Sequence, residues 1–185
     1  MNVNNFTSDD KHCYGRYIVG EFNLNGIKSV VNPYNVYFKK YVLSCIYFDI
    51  LILPEHHCLP DESFELENYK IYQNNRPILG GGVRRGSGGI AIAINLAILE
   101  THTVVSVTKG VDGQISVKLR CNFNDFIVGV LALYLPPDNY IYGKDPENFF
   151  NHASVLWEDL FDCDLLVGGG DLNIRSILFQ TLMGT

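Results

Sequence analysis

The sequence has little positive charge. It carries 14 Lys and Arg against 20 Asp and Glu, which gives a formal net charge of −6 and a pI of about 5.3. A protein that holds a nucleic acid by bulk electrostatics usually has the opposite sign. The composition therefore argues against nucleic-acid binding through overall charge, so any such binding must depend on a local patch or on a metal ion.

Long apolar segments are also absent. The longest run, around Phe126 to Leu135, is far shorter than the roughly 20 residues that a membrane helix requires. The N-terminus lacks the basic and apolar regions of a signal peptide. The five cysteines are widely spaced, odd in number and without a Cys-x-x-Cys pair, which suits reduced thiols. We therefore expect no membrane association and an intracellular location, in the nucleus or the cytoplasm.

Apolar and aromatic residues, in contrast, are plentiful. They account for 47% and 12% of the chain, which is typical of a folded globular protein. A chain of 185 residues is long enough for one domain with a substantial core. Residues 1–15 are polar, and we expect them to form a loose tail before a single domain over residues 16–185.

Strands dominate the predicted secondary structure. Apolar, β-branched and aromatic runs predict strands over Tyr17–Asn23, Asp49–Leu53, Tyr69–Tyr72, Gly89–Ile94, Thr103–Val107, Gln114–Leu119, Phe126–Tyr134 and Leu165–Val167. Val111-Asp112-Gly113 is typical of a hairpin turn between two of them. A helix predicted to begin at Asn32-Pro33 would form a crossover between the first two strands.

A second helix is predicted to begin at Asp145-Pro146. Asp145 is a favourable N-cap, and proline is favourable in the first turn. The helix carries one apolar face, which consists of Phe149, Phe150, Ala153, Leu156, Trp157 and Leu160. We therefore expect Trp157 to lie in the core and not to serve as a platform for base stacking.

Polar side chains follow four of the predicted strands, at the point where each strand ends. They are Asn23 and Asn25, Glu55, Tyr134, and Asp171 and Asn173. Residues two positions apart on an extended segment point the same way, so each pair presents both groups to one spot. Each of them alone would be an ordinary polar residue at a strand end. The repeated placement predicts a site for a hard metal ion or a phosphate.

The order of these motifs resembles the endonuclease/exonuclease/phosphatase superfamily. The motifs are Phe22-Asn23-Leu24-Asn25-Gly26, Leu53-Pro54-Glu55-His56, Gly88-Gly89-Ile90-Ala91-Ile92, Tyr134-Leu135-Pro136-Pro137-Asp138 and Gly170-Asp171-Leu172-Asn173. The Tyr-x-Pro-Pro-Asp form makes the chain most similar to the endonuclease domain of non-LTR (LINE-type) retrotransposons. The resemblance runs from about Tyr17 to Arg175. It implies a mixed α/β (α+β) fold, a four-layer α/β/β/α sandwich.

The resemblance also implies an activity, which is DNA cleavage by phosphodiester hydrolysis with Mg²⁺ or Mn²⁺. Glu55 would bind the metal, and Asn23 and Asn25 would help to hold the metal or orient Glu55. Asp171 would position or deprotonate the attacking water. Asn173 and Tyr134 would donate hydrogen bonds to the phosphate, as their side chains allow. A covalently linked reverse transcriptase is a further partner that the resemblance implies for the full-length element.

The sequence departs from the family at two places. The family domain continues beyond Gly-Asp-Leu-Asn to a Ser-Asp-His motif, whose His and Asp act on the scissile phosphate, and these 185 residues contain no such motif. Pro54 stands where the family commonly has Gln or Ser. We therefore expect an incomplete domain, truncated at the C-terminus. Loss of a catalytic unit of this kind typically costs several powers of ten in rate.

Two other functions remain open from the sequence. One is a catalytically inactive remnant that at most binds a metal or a partner. The other is a phosphatase or phosphodiesterase that acts on a small phosphorylated substrate, which the acidic pI mildly favours and the Tyr134-Leu135-Pro136-Pro137 motif disfavours.

Two further segments contain chemically suggestive residues. Gly80–Gly89 is not a phosphate-binding Walker loop, because Ser87 replaces the required Lys and a strand follows. Arg84 and Arg85 in this segment are candidate contacts for DNA, and the alternative is a solvated loop. Glu55-His56-His57-Cys58 cannot close a zinc site, because adjacent residues of an extended segment face opposite ways. We expect His56 to line the cleft beside Glu55.

Overall fold

The structure is a computed structural model. It describes residues 16–27, 33–45, 47–77, 88–111, 113–136 and 145–173. The elements of this part, in chain order, are β1 (Val19–Glu21), α1 (Pro33–Cys45), β2 (Ile50–Pro54), β3 (Tyr69–Asn74), β4 (Ile90–Asn95), α2 (Leu96–Thr101), β5 (His102–Lys109), β6 (Gln114–Cys121), β7 (Ile127–Tyr134), α3 (Pro146–Glu158) and β8 (Leu165–Asp171). The predicted tail of residues 1–15, the candidate contacts Arg84 and Arg85, and Asp112 of the predicted turn lie outside the described residues.

The strands form two four-stranded sheets, with the orders β1-β2-β4-β3 and β5-β6-β7-β8. β1 runs parallel to β2, and β7 runs parallel to β8, whereas the other neighbours are antiparallel. Parallel neighbours end at the same edge of a sheet. Each sheet therefore brings the carboxyl ends of two strands to one edge.

An apolar core fills the space between the two sheets. It is built from β-branched and leucine side chains of the central strands, all with 2% exposure or less, which include Ile50, Ile52, Ile90, Ile92, Ile94, Val117, Leu119, Val128 and Val130. In β4, isoleucine alternates with alanine, so that the large side chains face the other sheet. Alternation with a period of two residues is what separates the two faces of a strand.

A helix covers the outer face of each sheet. Leu43 of α1 packs with Leu51 and Ala93 on the first sheet, and Leu156 of α3 packs with Leu131 on the second. The order of layers is therefore α/β/β/α, and the predicted four-layer sandwich is confirmed.

The predicted elements are confirmed with shifts at their ends, and one helix was not predicted. β5 and β6 form the predicted hairpin, in which Gly110 N–H donates to Gln114 O at 3.1 Å. Asp145 caps α3 as expected, because its Oδ1 accepts a hydrogen bond from Asn148 N–H at 3.1 Å. The short helix α2 was missed because its six residues are too few to show a helical period.

The expectation for Trp157 is wrong. Its side chain is 40% exposed and makes an edge-to-face contact with Phe161, and Phe150 is also partly exposed. Phe149, Ala153 and Leu156 occupy the face that packs on the sheet. Trp157 follows Leu156 by one residue, which rotates it about 100° around the helix axis and away from the sheet.

No helix in the described ranges is long and apolar enough to span a membrane.

The packing between the sheets predicts that alanine at a buried isoleucine lowers the free energy of unfolding more than alanine at an exposed one. Ile92→Ala removes a fully buried side chain from the centre of the core and should lower the free energy of unfolding by about 2–5 kcal/mol. Ile18→Ala is the matched control, because Ile18 is 53% exposed. Urea denaturation of both variants measures the difference, and equal losses would contradict the described packing.

Candidate active site at the ends of four strands

The carboxyl ends of β1, β2, β7 and β8 meet at one edge of the sandwich. The Tyr134 hydroxyl, at the end of β7, donates a hydrogen bond to Glu55 Oε1, which follows β2, at 3.1 Å. Asn23 Nδ2, which follows β1, donates to Asp171 Oδ2, at the end of β8, at 3.5 Å. Both contacts join one sheet to the other. Residues that are far apart in the sequence therefore share one polar cluster.

The same type of turn follows β1 and ends β8, and in both the side chain of an Asn or Asp accepts a hydrogen bond from the backbone N–H two residues later. Asn25 N–H donates to Asn23 Oδ1 at 2.9 Å, and Asn173 N–H donates to Asp171 Oδ1 at 3.0 Å. Asn25 and Asn173 both adopt left-handed backbone conformations, with φ of 41° and 46°. Asn and Asp side chains favour this turn because they replace a backbone acceptor. Each turn fixes the first side chain of its pair at the strand end.

Glu55 also lies in a left-handed conformation, with φ of 59°. Its N–H donates to Gly89 O at 2.8 Å, and its carbonyl accepts from Gly26 N–H at 2.7 Å. Non-glycine residues with this backbone are uncommon and concentrate at functional sites. Hydrogen bonds to two neighbouring segments hold Glu55 in that conformation, and its side chain is half-buried.

Two glycines at the start of β4 allow a close approach to the site. A Cβ atom on Gly88 would lie 2.4 Å from the Tyr134 ring, and one on Gly89 would lie 2.4 Å from the His56 ring. Their φ values are +75° and +88°, which glycine adopts without steric cost. The Gly88-Gly89 backbone therefore packs directly against the ring of the site residue Tyr134 and against the ring of the buried His56.

Tyr134 is a buried, neutral donor. Burial raises the pKa of its hydroxyl well above its ordinary value, and the negative charge of Glu55 raises it further, whereas the guanidinium of Arg76 opposes the shift. The phenol therefore stays protonated at neutral pH. Its single O–H is donated to Glu55.

Three charged residues near the site were not predicted from the sequence. Arg76 is only 2% exposed and interacts electrostatically with Tyr134. Glu21 Oε2 accepts a hydrogen bond from Gly170 N–H at 2.9 Å and so ties β1 to β8. Lys39 contacts the loop that carries Asn23 and Asn25. None of them stands in a motif, so only their position in the fold connects them with the site.

The structure brings together the six polar residues predicted at the strand ends, through the contacts and turns described above. The expectation for His56 is wrong: its side chain has 0% exposure, packs against Phe64 at a ring distance of 5.6 Å, and accepts from Cys58 N–H at 3.1 Å. His56 therefore lies in the core, whereas its neighbour Glu55 is half-buried and contacts Tyr134; the left-handed backbone at Glu55 and His57 means that this segment is not extended.

The donor set fits a Mg²⁺ ion. No three His, Cys, Asp or Glu side chains within the described ranges group closely enough to hold a metal. Mg²⁺ needs only one or two carboxylates, because it retains several water ligands. Glu55 supplies one such carboxylate, and the loop that carries Asn23 and Asn25 is joined to it by the hydrogen bond from Gly26 N–H to Glu55 O. Asn23 Oδ1 accepts a hydrogen bond from Asn25 N–H and keeps a second lone pair for a cation.

Similar solved structures define the class of fold. The AP endonuclease LMAP from Leishmania major matches with a TM-score of 0.67 at 14% identity, over 94% of this chain and 60% of its own. An endonuclease/exonuclease/phosphatase family protein from Leptotrichia buccalis matches with a TM-score of 0.55 at 11% identity, over 88% of this chain and 68% of its own. The chain thus has the fold of endonuclease/exonuclease/phosphatase-type proteins.

A phosphatase shares this fold as well. The mannosyl-6-phosphatase Bt3783 of Bacteroides thetaiotaomicron matches with a TM-score of 0.53 at 12% identity, over 86% of this chain and 66% of its own. The chain spans 60% of the length of the Leishmania enzyme. No protein-family model and no curated protein matches the sequence. The comparisons therefore establish the fold, and the activity has to be argued from the site.

The burial of His56 predicts a loss of stability in mild acid. Burial lowers the pKa of its imidazole from 6.5 to about 4, so protons bind to the unfolded chain first as pH falls. The contribution of neutral His56 is complete above pH 6.5 and is lost as pH falls toward 4. Between pH 7 and pH 5 it should cost about 2 kcal/mol of unfolding free energy.

Urea denaturation of the wild type and of His56→Asn at both pH values measures this contribution. Asparagine retains an acceptor for Cys58 N–H. The variant should show a smaller difference between pH 7 and pH 5, by about 2 kcal/mol. An identical pH dependence in the two proteins would refute the assignment to His56.

Proposed function

We propose that this chain is a Mg²⁺-dependent phosphodiester hydrolase that cleaves DNA, of the endonuclease/exonuclease/phosphatase superfamily. The observation that carries the proposal is the cluster at the strand ends, in which Tyr134 contacts Glu55 and Asn23 contacts Asp171 across the two sheets. Acids, amides and a phenol from four strands converge there. That combination suits the binding of a metal ion and of a phosphate together.

Glu55 is the metal-binding carboxylate in this proposal, with Asn23 and Asn25 as its neighbours. A bound Mg²⁺ would neutralise charge on the phosphate and on the leaving oxygen. The backbone hydrogen bonds of Glu55 to Gly89 and Gly26 fix its position before any ligand arrives. Pre-organisation of this kind reduces the reorganisation that catalysis requires.

Asp171 positions the attacking water and takes up its proton. Its Oδ1 is held by Asn173 N–H and its Oδ2 by Asn23 Nδ2. A carboxylate oxygen has more than one lone pair, so both atoms can still accept a hydrogen bond from water. The two donors set the direction from which Asp171 faces the site.

Asn173 and Tyr134 are the proposed donors to the phosphate. Asn173 Nδ2 donates one hydrogen to Leu135 O at 2.9 Å, which leaves its second hydrogen for a ligand. Tyr134 has one O–H, which orients Glu55 in the present arrangement. We propose that this hydroxyl turns to the phosphate when the substrate binds.

The retrotransposon branch of the superfamily is the finer proposal. Its support is the sequence Tyr134-Leu135-Pro136-Pro137-Asp138, which begins at the last residue of β7. A linked reverse transcriptase belongs to this proposal, as do Arg84 and Arg85 as DNA contacts.

A small phosphorylated substrate is the rival proposal. The acidic net charge of −6 favours it over a polyanionic substrate, and a sugar phosphatase shares the fold. A phosphate monoester and a phosphodiester both present anionic non-bridging oxygens to the site, so the site residues alone do not distinguish them. Parallel assays with p-nitrophenyl phosphate, a monoester, and with plasmid DNA, a diester, distinguish the two substrate classes.

The proposed activity predicts metal-dependent nicking of supercoiled plasmid. Wild-type protein with Mg²⁺ should convert supercoiled DNA to open circles, and EDTA should abolish the conversion. Asp171→Ala should reduce the rate at least about 100-fold, because it removes the group that handles the proton. Agarose gel electrophoresis over a time course measures both rates.

Asp162→Ala is the matched control, because Asp162 is an exposed carboxylate that pairs with Lys118 away from the site. It should nick at the wild-type rate. Cleavage of p-nitrophenyl phosphate without nicking would support the rival substrate. Folded protein that cleaves neither substrate would contradict the proposed activity and favour an inactive, binding-only remnant.

A further inference from the structure

Lys39 reaches from α1 to the loop that follows β1. Its ammonium group donates hydrogen bonds to three consecutive carbonyl oxygens, those of Leu24, Asn25 at 3.2 Å and Gly26 at 3.0 Å. A lysine ammonium has three hydrogens, so it can donate to several acceptors at once. Three consecutive carbonyls can face one cation only in a strongly curved backbone.

The curvature comes from two left-handed residues. Asn25 has φ of 41° and Gly26 has φ of +85°, a conformation that a non-glycine residue adopts at a cost. On the opposite side of the same loop, the N–H groups of Leu24 and Gly26 donate to Pro54 O and Glu55 O. The loop is therefore held from both sides, by β2 through its donors and by Lys39 through its acceptors.

Removal of the ammonium group would leave the three carbonyl oxygens without this hydrogen-bond donor. Leu24 and Gly26 are buried, so their carbonyls would lose a charge-assisted partner where water has little access. The loop could then relax the left-handed turn at Asn25. Asn23 and Asn25 lie on this loop, which is hydrogen-bonded to Pro54 and Glu55, so their positions relative to Glu55 would change.

We propose that Lys39 is a positioning residue for the metal site: by holding the carbonyls of residues 24–26 it keeps Asn23 and Asn25 in place beside Glu55. The inference rests on the proposed function, because it assumes that Glu55 and these amides hold a divalent cation. Lys39 itself touches neither metal nor substrate. Residues that support metal ligands in this way typically change affinity 10–100-fold when they are replaced.

The test is direct binding of Mn²⁺ to the whole chain, measured by the electron paramagnetic resonance signal of the free ion in the absence of DNA. Lys39→Met keeps the length of the side chain but removes its charge and its donors. We expect the Mn²⁺ Kd to rise about tenfold or more. Lys39→Arg retains a charged donor and should recover part of the affinity.

Lys40→Met is the matched control, because Lys40 is the next residue of α1 and is exposed. It should bind Mn²⁺ as the wild type does. At saturating Mn²⁺ the nicking rate of Lys39→Met should approach that of the wild type, because the lysine acts on metal affinity. A general loss of structure would lower the rate at every metal concentration.

Two failures are distinguishable. If Glu55→Gln leaves Mn²⁺ binding unchanged, the metal site of the proposed function is wrong, whatever Lys39 does. If Glu55→Gln weakens binding and Lys39→Met does not, only the role of Lys39 is overturned. Circular dichroism checks folding, and Lys39→Gln, which keeps two donors, replaces Lys39→Met if that variant does not fold. Unfolding of both would make Lys39 a folding residue and would also overturn the inference.

Discussion

The apolar contact between the two sheets is the constraint on which the rest of the structure depends. Isoleucines of β2 and β4 meet valines and leucines of β6 and β7 with almost no exposure to solvent. Close packing of such side chains fixes the separation of the sheets. A hydrogen bond of 3.1 Å from Tyr134 to Glu55 is possible only because that separation is fixed.

The strands bring the polar side chains of the site near each other, and turns at the strand ends orient these side chains. The turns at Asn23 and Asp171 repeat the same hydrogen bond and the same left-handed second residue. The strained backbone of Glu55 is held by two neighbouring segments. Backbone conformations that cost free energy persist where the surroundings over-determine them. Their concentration at one edge of the sandwich is the physical argument for a site there.

The strands were predictable because their signal is local. The β-branched runs, the Val111-Asp112-Gly113 turn and the Asp145-Pro146 helix start each depend on a few neighbouring residues. Helix α2 was too short to show a period. Trp157 was misplaced because one residue decides which face of a helix a side chain occupies. His56 was misplaced because the left-handed backbone at Glu55 and His57 sets the direction of its side chain, and no local pattern shows that conformation.

The sequence by itself determined the strand pattern and the six polar residues at the strand ends, because these follow from local spacing, and the order of its motifs implied the four-layer class through the resemblance. Only the tertiary structure decided that Tyr134 donates to Glu55, that Arg76 is buried near Tyr134, and that Lys39 holds the carbonyls of the first turn. Those contacts join residues from different elements. Their distances depend on how the sheets and helices pack, which no short segment encodes.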